Sequence, residues 1–251
     1  MFDLSARRAL VTGGAQGLGA AIAECLARAG AAVTIGDCDV PRAIATAAEL
    51  ADAIAADVTA FPLDVGQTES VNACIAHVVA GGGLDILVNN AAIYPSDTWA
   101  DPNDEQWQQV LNVNVHGVHR CVRAAGRHLT AHGRGRVINL ASTTVHLGWP
   151  SLLSYTASKG AVMAITRTLA RELGPLGCTV NAVVPGAFPT RSEQQTQADA
   201  TGFGAWIVDQ QSIKRRGVGS DVGNAAVYFA SDEAAFITGQ CLQVDGGWVM
   251  R

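Results

Sequence analysis

The chain has 251 residues, 49% of them hydrophobic, and a formal net charge of −5 with no basic block; a chain this long can bury one large core, and nothing in it resembles the footprint of a nucleic-acid or membrane-surface binder. No segment approaches the roughly 18 consecutive apolar residues of a membrane span, and the opening Met1-Phe2-Asp3-Leu4-Ser5-Ala6-Arg7-Arg8 has no apolar signal core, so a cytoplasmic protein is expected. Six cysteines (Cys25, Cys38, Cys74, Cys121, Cys178, Cys241) stand far apart without a Cys-x-x-Cys or Cys/His pairing, which argues against zinc and against a disulfide framework and reads them as reduced, mostly core thiols.

The first predicted strand, Ala9–Thr12, runs into TGGAQGLG, residues 12–19, with glycine at 13, 14, 17 and 19. Glycine costs about 0.5–1 kcal/mol relative to alanine in regular structure, so such a cluster marks a tight turn or a close approach. A strand that ends in a bare loop and feeds a helix offers free N–H groups to a phosphate, although the same loop can be a turn without a ligand. Further strands are predicted at Val33–Gly36, with Asp37 closing it, and at Ile86–Asn89, Val137–Leu140, Val180–Val184 and Leu242–Val244. They are short, apolar and separated by helical stretches, the pattern of an α/β protein whose parallel sheet is covered by helices on both faces. No linker or composition shift divides the chain, so residues 1–251 are read as one domain.

Two helices carry polar groups in unusual places. Trp107, Val110, Leu111, Val115, Val118 and Val122 recur at helical spacing behind an Asn103 cap, and Asn114 falls on their apolar stripe, where a buried amide must find partners. A second helix is predicted from about Tyr155 to Leu173, ending at Gly174-Pro175. Tyr155 and Lys159 are four residues apart on it and therefore share a face. From about 188 to 213 the chain turns polar and glycine-containing, with Phe203 and Trp206 set within it, the composition of a substrate lid.

Together these pieces resemble the short-chain dehydrogenase/reductase family over nearly the whole chain. Thr12, Gly13, Gly17 and Gly19 fit its Thr-Gly-x-x-x-Gly-x-Gly loop, Asn89-Asn90-Ala91-Ala92 its fourth-strand motif, and Tyr155-x-x-x-Lys159 follows Ser142 at the expected interval; Asn114 and Pro185-Gly186 also fall into place. Ala92 stands where glycine is more usual, and Ala187-Phe188-Pro189-Thr190 departs from the pattern near the nicotinamide contact. The resemblance implies a Rossmann-like, doubly wound parallel sheet of about seven strands and a nicotinamide-dependent oxidoreductase acting on a secondary alcohol or ketone. In it Tyr155 is the general acid/base, Lys159 lowers the Tyr155 pKa and holds the nicotinamide ribose, Ser142 orients the substrate oxygen, and Asn114 holds a water leading from Lys159 to solvent. The glycines at 13, 17 and 19 would make room for pyrophosphate, with Gln16 and Leu18 between them; Asp64 and Val65 would meet the adenine, and Asn90, Ala91, Pro185, Gly186, Phe188 and Thr190 the rest of the cofactor.

Asp37 would bind the ribose hydroxyls, and its charge would repel a 2′-phosphate while Gln16 and Cys38 supply no cation, so NAD is expected rather than NADP. Tyr94, Thr144, His146, Trp149, Phe188 and Trp206 are placed around the substrate, giving a pocket suited to hydrophobic or aromatic alcohols and ketones. No metal is expected. The alternatives are a 3-oxoacyl or polyketide ketoreductase, for which Lys214-Arg215-Arg216 would be the carrier patch, and a non-catalytic NAD-binding regulator. The family pairs into homodimers and homotetramers, and Trp248 near the terminus is expected to bury against another subunit.

Overall fold

A computed structural model describes residues 2–100, 103–189 and 202–250. Seven strands form one sheet: β1 Arg8–Thr12, β2 Ala32–Asp37, β3 Val58–Pro62, β4 Ile86–Asn89, β5 Arg136–Leu140, β6 Thr179–Pro185 and β7 Cys241–Val244. Their order is β3-β2-β1-β4-β5-β6-β7, and every neighbouring pair is parallel. The chain thus starts at the centre, winds outward to β3, returns, and winds the other way, which is the Rossmann-like architecture expected. β3 escaped the strand assignment because it lies at the edge with a half-exposed pattern, so it lacks the continuous apolar run of the central strands.

Successive residues of each central strand point to opposite faces. Ala9, Val11, Ile86, Val88, Ile138 and Val183 enter one core with helices α1 (Gly17–Arg28) and α2 (Val40–Ile54). Leu10, Leu87, Val137 and Val180 enter the other with α3 (Thr68–Ala80). Both faces are therefore covered, which is why the strands read as unbroken hydrophobic runs.

The expected helix through Asn114 is three pieces. Asn103 caps α4 (Asp104–Leu111) by accepting from the Gln106 N–H at 3.0 Å, a π-helical turn spans Asn112–His116, and α5 (Gly117–Leu129) follows. The turn is closed by Gly117 N–H donating to the Asn112 carbonyl, five residues back. A short helix α6 (Thr144–Leu147) follows β5, α7 runs Leu153–Leu173, α8 Phe203–Gln210 and α9 Gly219–Ala230. None of the six cysteines is in a disulfide; Cys74, Cys121 and Cys178 are buried, Cys25 and Cys241 half-buried and Cys38 exposed. Among the described residues, no helix is long and apolar enough to cross a membrane and no cluster of ligating side chains could hold a metal.

Candidate active site

The site is assembled at the carboxyl ends of β1, β2, β4, β5 and β6. After β1 the glycine loop enters α1 without a cap: Gln16 makes no side-chain capping bond and the first turn has no acidic residue. The helix end is thus open to an anion, which fits a pyrophosphate. The glycines are also required by the chain itself. A Cβ at Gly13 would lie 2.7 Å from the Ala91 Cα, and one at Gly19 would lie 2.2 Å from the Gly13 carbonyl oxygen and 2.5 Å from Asn90 Nδ2. Positions 13 and 19 are bare because the loop folds onto itself and onto the end of β4, while Gly17, at φ +59°, is bare because the turn is left-handed.

Asn90 is the clamp of this loop. Its Nδ2 donates to the carbonyls of Thr12 (3.0 Å) and Gly13 (2.8 Å), and the Thr12 hydroxyl oxygen accepts from the N–H groups of Asn90 and Ala91, both at 3.1 Å. Asp37, half-buried at the end of β2, accepts through one oxygen from the Ala15 N–H and through the other from the Asp39 N–H, both at 3.0 Å. It therefore does cap the following turn, and each oxygen keeps a lone pair for ribose hydroxyls. Asp64 is exposed and accepts from the Gly66 N–H at 2.8 Å, while Val65 is buried against Gly117.

Around the reacting atoms the structure brings Asn114, Ser142, Tyr155 and Lys159 together. Asn114 Oδ1 accepts from the Ile93 N–H at 2.9 Å, and its Nδ2 donates to the Ile93 carbonyl (2.9 Å) and to Ser158 Oγ (3.0 Å). Both Nδ2 protons are thus used by protein groups, while Oδ1 keeps one lone pair. Ser158, which the sequence reading passed over, donates in turn to the Tyr155 carbonyl at 2.6 Å. Ser142 Oγ accepts from the Thr144 N–H (3.2 Å) and hydroxyl (3.0 Å). Both its lone pairs are occupied, which leaves its proton to be donated onward, and the bond it makes to Tyr155 draws the phenol pKa down.

Burial outweighs that bond. The Tyr155 phenol is pushed up to about 12, with the neighbouring Tyr94 phenol adding to the rise. The Lys159 ammonium lies 5.6 Å from the centroid of the Tyr155 ring and donates to the Leu140 carbonyl at 2.6 Å; burial alone draws its pKa from 10.5 to about 8. In the chain by itself, burial therefore dominates the Tyr155 phenol, and the Lys159 ammonium beside it is itself desolvated.

The aromatic residues form two groups. Tyr94 packs on Tyr155 with ring centroids 5.7 Å apart, and Trp149 meets Trp206 (5.8 Å), Trp248 (5.8 Å) and Phe203 (6.1 Å). Trp248 also meets Trp206 at 5.9 Å, so within its own chain this half-buried tryptophan ties the C-terminal segment to α8. Thr144 and His146 lie half-buried on α6. Phe188 differs from the expectation: it is buried in the core that also holds Val222 and Ala226, with its ring close against Gly217. Pro185 ends β6, and Gly186 abuts Asp245; Thr190 and much of the predicted lid at 188–213 lie outside the described residues. Lys214 donates to the Asp209 carbonyl (2.7 Å), and Arg215 forms a two-pronged pair with Asp221 at 2.7 and 2.8 Å.

Comparison with known proteins agrees with this geometry. A family model described as Enoyl-(Acyl carrier protein) reductase matches residues 13–249. The chain is 35% identical to a 2-dehydro-3-deoxy-D-gluconate 5-dehydrogenase of Bacillus subtilis over 100% of its own length and 97% of the relative's. It is 38% identical to a 3-alpha-(or 20-beta)-hydroxysteroid dehydrogenase of Mycobacterium bovis (96% and 88%) and 34% identical to a 3-oxoacyl-[acyl-carrier-protein] reductase of Staphylococcus aureus (97% and 98%). Among solved structures, a gluconate 5-dehydrogenase from Burkholderia cenocepacia in complex with NADP and tartrate superposes with a TM-score of 0.92 at 34% identity, covering 98% of this chain and 96% of that one. The chain belongs to the short-chain dehydrogenase/reductase family. It is an oxidoreductase that acts on CH–OH groups with a nicotinamide cofactor.

Proposed function

We propose that the protein interconverts a hydrophobic or aromatic secondary alcohol and its ketone with NAD(H), as a single catalytic domain over residues 1–251, with Tyr155 as the general acid/base. The observation that carries the substrate class is the Tyr94 ring on Tyr155, together with the separate cluster of Trp149, Phe203, Trp206 and Trp248 that joins the segment after α6 to α8. Rings of this kind bury apolar surface at about 25 cal/mol per Å² and provide no guanidinium or ammonium for a carboxylate substrate. The hydroxysteroid relative acts on a substrate of that character, whereas the gluconate-type relatives act on polar acids.

When bound, the nicotinamide supplies the hydride acceptor or donor. Tyr155 takes the proton from the substrate hydroxyl in oxidation and returns it in reduction, and Ser142 donates to the substrate oxygen. Lys159 would hold the nicotinamide ribose, and its ammonium lies over the tyrosine ring. Asp37 reads the ribose: its carboxylate is fixed by the Ala15 and Asp39 N–H groups, and a 2′-phosphate brought beside it would meet like charge. This favours NAD, although several solved relatives carry NADP. Against a carrier-dependent ketoreductase stands the basic trio, since Lys214 is bound to the end of α8 and Arg215 to Asp221. The complete Asn114, Ser142, Tyr155 and Lys159 set argues against a non-catalytic regulator. We place the protein in the cytoplasm as a homodimer or homotetramer; the fully exposed Phe236 and the edge strand β7 with Leu242 are surfaces such an assembly would cover.

The test is Tyr155→Phe, assayed with NADH and acetophenone and with NAD and 1-phenylethanol. The expected result is a cofactor Kd within about twofold of the parent and a kcat lower by about 10²–10⁴. Retention of more than about half the parent kcat would remove Tyr155 from the chemistry.

A further inference from the structure

Helix α7 presents Tyr155 on its first turn, yet its own sequence does not cap it. The N-cap residue is Leu152, no side chain bonds to the free N–H groups from that position, and the first turn holds no acidic residue. The cap comes from a segment far away in sequence. Asp97, between β4 and α4, accepts from the Ser154 N–H through Oδ2 at 2.9 Å. Its own N–H donates to the Ser151 carbonyl at 3.0 Å, and Asp97 and Leu152 form an isolated parallel bridge. Ser151 is held at φ +60°, a conformation L residues rarely adopt, so the clip imposes its geometry on the helix entry. The Asp97 side chain is only 6% exposed, and Ser154 is fully buried.

The same segment is anchored at its other end. Both backbone groups of Ile93 are held by the Asn114 amide, and between the two anchors the Tyr94 ring lies against Tyr155. One short stretch is thus tied to the π-helical turn at one end and to the start of the catalytic helix at the other.

We propose that Asp97 is a positioning residue for the reaction: by capping α7 from outside, it fixes the tyrosine that moves the proton and the ring that packs on it in one frame. This rests on the assignment of Tyr155 as the acid/base. Without the carboxylate, the buried Ser154 N–H loses its acceptor and the first turn is free to fray. A displacement of about 1 Å in a reacting group can lower turnover on the order of 10²-fold. Asparagine offers an acceptor oxygen without the charge, so that variant separates the two.

The experiment compares Asp97→Ala, Asp97→Asn and Tyr155→Phe in the full chain. It measures kcat and KM with acetophenone and NADH, NADH affinity by fluorescence titration, and Tm. For Asp97→Ala we expect kcat about 10- to 100-fold lower with NADH affinity within about twofold, and for Asp97→Asn recovery to within about threefold of the parent. Asp97→Ala with an unchanged kcat overturns the proposal, as does a folded Asp97→Asn as impaired as the alanine variant, or a loss of NADH affinity that matches the loss of kcat. Should Asp97→Ala fail to fold, Asp97→Asn decides: recovery supports the role, and a loss beyond about tenfold refutes it. Full turnover in Tyr155→Phe would instead overturn the assignment of the tyrosine, whatever the Asp97 variants do.

Discussion

Burying Lys159 has an energetic consequence that can be measured apart from catalysis. The folded protein draws its pKa from 10.5 to about 8 through desolvation, so folding disfavours the ammonium. Because the folded value lies below the unfolded one, the penalty is fully present below about pH 8 and disappears as pH rises past the unfolded value. Integrating the proton linkage gives a penalty of about 3 kcal/mol at pH 7 and under about 1 kcal/mol at pH 10. Lys159→Met removes the charge at every pH. It also removes the bond to the Leu140 carbonyl, which costs about 1–3 kcal/mol but does so independently of pH. The stability of Lys159→Met minus that of the parent should therefore fall by about 2–3 kcal/mol between pH 7 and pH 10, whatever its absolute sign. Urea unfolding of both proteins at four or five pH values reads this directly. A difference that stays flat over the range would show that the ammonium is not desolvated, and the account of the Tyr155–Lys159 pair would fall with it.

Other outcomes follow from the cofactor end of the site. In the parent, kcat/KM should favour NAD over NADP by at least about tenfold, and Asp37→Ser should narrow the ratio mainly by weakening NAD; equal use of both cofactors by the parent refutes the ribose assignment. Gly19→Ala would press a methyl group into the Gly13 carbonyl and Asn90, so it should lower stability by about 1–3 kcal/mol as well as cofactor affinity. An unchanged Tm in that variant would mean the loop has room after all. Because burial keeps Tyr155 a phenol over the neutral range, ketone reduction should predominate near pH 7 and alcohol oxidation should rise with pH; a rate of oxidation that falls between pH 7 and 9 contradicts this.

Much of this was legible in the residues. The central strands were, since burial on both faces leaves no alternation to confuse, and β3 was not, because an edge strand mixes both signals. The residues proposed for catalysis, Asn114, Ser142, Tyr155 and Lys159, were singled out through the resemblance to the family; position alone showed only that Tyr155 and Lys159 share a helix face and that Asn114 is a misfit on an apolar stripe. Their electrostatics were not legible, because how far a phenol and an ammonium are desolvated depends on the tertiary packing around them. The glycines were noticed for a ligand; that 13 and 19 also pack tightly against the chain itself was not legible, because local sequence does not announce a contact between the loop after β1 and the end of β4. The burial of Phe188 in the core was missed for the same reason, since an aromatic residue near a pocket can turn either way. Asp97 gave only one signal, in retrospect: a helix whose N-terminal residues, Leu152-Leu153, cannot cap it.

The π-helical turn makes the site vulnerable to a change that no substitution would reproduce. Asn112–His116 holds one residue more than a regular turn, and each residue of an α-helix advances about 100°. Loss of a single codon, for instance that of Val113, would let α4 and α5 join as one ordinary helix. Either everything ahead of the turn or everything after it would then have to rotate by that angle, and Val110, fully buried on α4, could no longer keep its place while Val118, Cys121 and Val122 kept theirs in the core. Lineages of this chain should therefore accept many replacements at Val113 and Val115 while leaving the number of residues between Trp107 and Val118 unchanged.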